Sequence, residues 1–155
     1  MEDKALAFKA AITAFFGALT IVWGWFGWLV VGLLIAMTVD FLTGWIKARN
    51  AGEWKSSTAK KGLGKKVAIL AIIGVAGIVD QIISVLLINI PGLTLPFTYS
   101  VLICPIVVIW YLLAELGSII ENCVGLGAKE IPFLSRFINM LKTTIEKAGD
   151  KISPE

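Results

Sequence analysis

Three carboxylates, Asp40, Asp80 and Glu115, stand inside long stretches of otherwise apolar residues, and no Lys or Arg falls within those stretches to neutralise them. An acid in that setting has three uses. It can hydrogen-bond across a helix interface, line a water-filled hole, or take part in a proton or ion relay. Catalysis fits poorly. The chain of 155 residues has no His, which removes the commonest general base and the commonest metal ligand. No motif pairs a nucleophile with a base, so no enzyme is expected. Cys104 and Cys123 lack a C-x-x-C spacing and read as two free thiols on one helix. Neither a metal site nor a cofactor is expected.

The elements that hold these acids follow from composition. The chain is 57% hydrophobic and 16% charged, with a mean hydropathy of +0.86. Average soluble domains are about 45–50% apolar and about 25% charged. A soluble core cannot hide so much apolar surface in so short a chain, whereas a bilayer can. An unpaired charge at the bilayer centre costs roughly 2.5–3.5 kcal/mol even on the lenient insertion scale. Each acid is therefore expected to face a neighbouring helix or water.

A spanning helix needs roughly 20 apolar residues. Four stretches qualify: 6–22, 29–46, 67–90 and 97–120. The first is short and contains Lys9, so a surface-lying amphipathic helix is its alternative. It has no basic leader and no small-residue cleavage site, and it is read as part of the mature protein. The expected fold is an all-α integral membrane protein. It is a single membrane domain, 1–155, with a bundle of three to four transmembrane helices and an amphipathic interfacial helix at 132–147. In that last segment Phe133, Leu134, Phe137, Ile138, Leu141 and Ile145 share one side, with Arg136, Asn139, Lys142 and Glu146 opposite. A partner-binding helix is the alternative there.

Charge sets the expected orientation. The connections Trp23-Gly24-Trp25-Phe26-Gly27-Trp28 and Pro91-Gly92-Leu93-Thr94-Leu95-Pro96 carry no charge. The connection 47–66 carries Lys47, Arg49, Lys55, Lys60, Lys61, Lys65 and Lys66 against the single acid Glu53. With four spans every basic residue lies on one side. The positive-inside rule makes that side the cytoplasm and puts both termini there. The basic loop reads as a topology signal and a contact for anionic lipid, not as a nucleic-acid patch. Gly62-Leu63-Gly64-Lys65 lacks the G-x-x-x-x-G-K-[ST] spacing of a phosphate loop.

Lipid supplies no hydrophobic force between helices, so close packing needs small residues and hydrogen-bonding side chains. Gly32, Ala36, Asp40 and Gly44 recur every four residues and form one stripe, with Thr43 beside it. Gly77, Asp80 and Ser84 form a second. Ala114, Gly117, Ser118 and Glu121 cluster on the fourth stretch, while Glu115 points elsewhere, beside Tyr111, Ser118 and Asn122. These stripes serve packing within one chain, assembly between chains, or the wall of a pore.

Three segments also resemble a known family. Met37-Thr38-Val39-Asp40-Phe41-Leu42-Thr43-Gly44 resembles the D-Y-x-T-G segment of phage holins of the toxin-secretion/phage-lysis type. Ser56-Ser57 through Lys60-Lys61-Gly62-Leu63-Gly64-Lys65-Lys66 is similar to that family's Ser-rich, Gly-Leu-x-Lys-Lys loop. Glu115-Leu116-Gly117-Ser118-Ile119-Ile120-Glu121-Asn122, followed by Gly125 and Pro132, looks like its E-x-x-S-I-x-E-N segment and short tail. The departures are Phe41 in place of Tyr and a first stretch without a strong motif. The resemblance covers 29–142. It implies a protein of the bacterial inner membrane that assembles into large homo-oligomers. These open lesions through which an endolysin, or in some members a toxin, escapes without being stably bound. The competing expectation is a small ion- or proton-coupled channel or carrier using Asp40, Asp80 and Glu115 as a relay. A non-conducting scaffold is a third.

Overall fold

The computed structural model describes residues 5–7, 9–10, 13–14, 17, 26–92 and 102–152. The expected first span, 6–22, falls largely outside them; its described positions are helical. Residues 23–25, 93–101 and 153–155, which include the start of the expected fourth span, also lie outside.

Four helices follow in order: α1 (Gly27–Asn50), α2 (Ser56–Asn89), α3 (Ile103–Gly125) and α4 (Pro132–Ile152). Among the described residues, α1, α2 and α3 are long and apolar enough to cross a membrane. No strand occurs among them. The fold is thus all-α, a membrane bundle with an amphipathic C-terminal helix.

The helices end where their sequences require. Gly52 and Gly127 have φ of +70° and +99°, and each follows the last residue of its helix in a Schellman turn. After α3, Ala128 N–H donates to Cys123 C=O at 3.0 Å and Gly127 N–H to Val124 C=O at 2.9 Å. Pro91 stops α2, because it cannot donate the next helical hydrogen bond.

α2 differs from the expected boundaries. Its 34 residues make it roughly 50 Å long at 1.5 Å per residue, against a hydrocarbon thickness of about 30 Å. Residues 56–66, expected as loop, are its first turns. The true turn between α1 and α2 is only 51–55. Lys and Ala are good helix formers and outweigh the two glycines in this segment.

α3 is the hub. It packs extensively on α1 and also on α2 and α4, whereas α1 and α2 barely touch. The shared core comprises Phe26, just before α1, Val30, Leu33 and Met37 of α1, Ile73 and Ala76 of α2, and Cys104 and Val108 of α3. Outside, α2 shows Val75, Ile78, Ile82 and Val85. An apolar exterior around a buried polar interior suits lipid as solvent. α4 runs antiparallel along α3, with Ile138 buried against it.

Candidate functional site: an ionic cluster inside the bundle

The core stripe of α1 continues past Met37 to Asp40 and Gly44, that of α3 past Val108 to Tyr111, Glu115, Ser118 and Asn122. On α2, Lys66, Ile73 and Asp80 are seven apart and share a face. The three stripes converge, and their polar members meet.

Lys66 Nζ donates to Asp40 Oδ2 at 2.9 Å and also to Glu115 Oε2. Asn122 Nδ2 donates to Asp40 Oδ1 at 3.1 Å and to Thr43 Oγ1 at 3.5 Å. Thr43 Oγ1 in turn donates to Val39 C=O at 2.9 Å. One ammonium thus joins α1 to α3 through two acids. The side chains of Lys66, Asp40 and Glu115 are 14%, 17% and 9% exposed, too little for water alone to solvate them. The expectation that the acids of α1 and α3 have no basic partner is therefore corrected. Lys66 borders its apolar stretch, and because α2 is already helical there, its four-carbon stem reaches inward to both carboxylates.

A cleft of about 250 Å³ lies beside this cluster, between α1, the 51–55 turn and the start of α2. Asp40, Lys66, Ser118 and Asn122 line its inner part, and exposed Glu53, Trp54 and Lys55 its mouth.

Asp80 is handled differently. It is 3% exposed and accepts from the backbone N–H groups of Leu102, Ile103 and Cys104 at 3.4, 3.0 and 2.7 Å. These are the donors that the first turn of a helix leaves without partners. The next residue, Pro105, has no N–H to satisfy. A residue on α2 therefore caps α3, where local sequence supplies no capping side chain. The negative carboxylate also suits the positive end of the helix dipole. Fourteen residues along α2 separate Lys66 from Asp80, roughly 20 Å at 1.5 Å per residue. Asp80 thus lies apart from the Lys66 cluster that holds the other two acids.

The other singled-out residues divide. Ala36 is buried. Gly44 lies 3.4 Å (measured from an added Cβ) from Asn122 Nδ2, and Gly77 likewise 3.8 Å from Cys104 Sγ. Both glycines lie on packed faces, although a methyl there would meet only ordinary van der Waals contact. At Gly32 an added Cβ meets nothing within 4 Å among the described residues. Ser84 is half-buried one turn beyond Asp80. Gly117 and Glu121 face α4, not the cluster, while Glu115 takes the interior position. Lys47 leans over Gly125 at the C-terminal end of α3, a favourable place for a cation. Arg49 sits 5.5 Å above the Trp45 ring. Lys55 in the preceding turn and Lys60, Lys61 and Lys65 along the first turns of α2 are exposed. The basic residues of 47–65 thus gather at one end of the bundle, and the Asp80 cap is toward the other, where α4 also brings Lys147 and Lys151.

Comparison with known proteins now bears on these features. Residues 17–143 match the bacteriophage holin family. This chain belongs to that family. The match includes all three described spanning helices and half of α4. An uncharacterized protein of Clostridium perfringens is 28% identical over 142 residues, covering 91% of this chain and 95% of its own length. An uncharacterized protein of Listeria innocua is 31% identical over 124 residues, 79% of this chain and 76% of its own length. Another, from Listeria monocytogenes, is 32% identical over 111 residues, 71% and 69%. No solved structure matches the chain. The holin family is a non-enzymatic family of membrane proteins, in keeping with the apolar exterior and the enclosed polar groups.

Proposed function

We propose that this protein acts as a holin of the bacterial inner membrane. Many copies assemble there and open lesions that let an endolysin, or a toxin, leave the cell, without binding that cargo stably. The observation that carries this reading, beside family membership, is the division of the α1–α3 bundle into an apolar exterior and an interior in which each acid has a partner. With α4 among the headgroups, each chain is at home in lipid and can accumulate before it assembles. The exposed lysines at one end would lie on the cytoplasmic side. The open Gly32 position offers a smooth contact for a second copy.

Expression in a bacterium carrying a potential-sensitive dye and a folded endolysin tests this directly. Abrupt depolarisation with release of the endolysin is expected. A chain that remains monomeric in mild detergent and leaves the potential intact would defeat the proposal. Gly32→Leu, at a position where an added Cβ meets none of the described residues within 4 Å, is expected to shorten chemical cross-linking ladders while insertion stays normal. The channel reading loses support, because Asp80 is engaged at the start of α3 and lies far from the Lys66 cluster. It predicts graded, pH-dependent flux in liposomes that Asp80→Asn abolishes.

A further inference from the structure

The placement of α4 bears on the wall of the lesion. α4 does not lie across the end of the bundle; it stands lengthwise against α3. Ile138 sits at the level of Val124, Lys142 Nζ lies 5.9 Å above the Trp110 ring, and Gly149 reaches the level of Ile106. Ile106 is three residues from the start of α3, so α4 follows the span for most of its length. Its 21 residues measure roughly 31 Å at 1.5 Å per residue, close to the thickness of about 30 Å of a bilayer's hydrocarbon.

One face of α4 is thus seated on a transmembrane helix. Of the sides turned away from α3, one exposes the polar Arg136, Thr143, Lys147 and Asp150, and the other the apolar Phe133, Phe137 and Met140. Lipid cannot solvate the polar side at that depth. An amphipathic helix at rest lies in the plane of the membrane, its polar side among headgroups. Standing upright against α3, its polar side needs water. We propose that in the assembled lesion α4 stands against α3 as the lumen wall, its polar face toward water. The apolar outer face of α2, with Val75, Ile78 and Ile82, then faces lipid. The link 126–131, with its left-handed Gly127, joins this position to an interfacial one. The inference rests on the lesion-forming role proposed above and adds which helix lines the hole.

The test uses the full chain, with Cys104→Ser and Cys123→Ser as background, in liposomes of bacterial lipid that hold a fluorescent protein. Ile106→Cys with Gly149→Cys, which line one cleft, should be joined by a short flexible bis-maleimide in vesicles that have released the protein. An α4 lying at the basic end cannot bring Gly149 to Ile106, near the opposite end. In parallel, in leaking vesicles a spin label at Thr143, an exposed position, should be several-fold more accessible to a water-soluble nickel chelate than one at Ile78. Leakage with no 106–149 cross-link, or with a Thr143 label held at headgroup depth, overturns the α4 assignment and leaves the lesion reading intact. A cross-link with Thr143 shielded from the chelate in leaking vesicles overturns it as well. Vesicles that never release the protein defeat the lesion reading itself.

Discussion

At the basic end of the bundle an ammonium on a four-carbon stem holds Asp40 and Glu115. Toward the other end fixed backbone amides hold Asp80. Both arrangements let a carboxylate exist in a protein dissolved in lipid, but they differ in how they can be undone. The Lys66 cluster is a bond between side chains of three helices, it carries two negative charges against one positive, and a cleft reaches it from the end of the bundle. Water or a neighbouring chain can replace any of its partners. The Asp80 cap joins a side chain to the backbone of a helix start. Undoing it requires α2 and α3 to part or α3 to unwind. Because α1 and α2 share little packing, the ionic cluster is also the main polar link between them. Opening of the bundle is therefore expected to begin at the basic end, with the capped end as the pivot.

Substitutions can break or sharpen this contrast. The largest effect is expected from Lys66→Met, which keeps the stem and removes the charge. Two enclosed acids then lose their cation, and breaking a buried pair from one side costs about 3–5 kcal/mol. Unfolding in mixed detergent micelles should show that loss, and an effect near zero would mean that water already solvates the cluster. Asp80→Leu comes next. It removes a charged acceptor and strands backbone donors, at about 1.5–3 kcal/mol. Amide hydrogen exchange at Ile103 and Cys104 should rise while the amides around Asn122 stay protected. Were Asp80 instead turned to lipid, the same change would stabilise the protein. Asn122→Ala should cost about 1 kcal/mol, the net worth of an ordinary hydrogen bond, again by micelle unfolding. The smallest number is a difference. Lys66→Met and Asp80→Asn act roughly 20 Å apart, so their effects should add to within about 0.5 kcal/mol. A larger coupling would mean that the two ends of the bundle respond as one unit.

Much of this arrangement was legible before any fold was known. The lipid solvent, the spans at 29–46 and 67–90, the amphipathic tail and the interior destiny of the acids all follow from hydropathy and helical periodicity. The stripe of Tyr111, Glu115, Ser118 and Asn122 is real and is the one that faces the cluster. Lys66 closes a run of basic residues that looks like a solvated loop, and its position seven and fourteen residues before Ile73 and Asp80 is the signal that it shares their face. Gly117 and Glu121, expected to cluster with Ala114 and Ser118, lie toward α4, because two faces of α3 are occupied, one by α1 and α2, the other by α4.

By itself the sequence determined the solvent, the helices and the faces on which polar residues fall, because these depend on residue type and on a period of 3.6 along one helix. Partnership was decided only in three dimensions. Which acid meets Lys66, and which helix start meets Asp80, depend on how three rods lie against one another, and the repeat within a single rod holds no record of its neighbour's height or rotation.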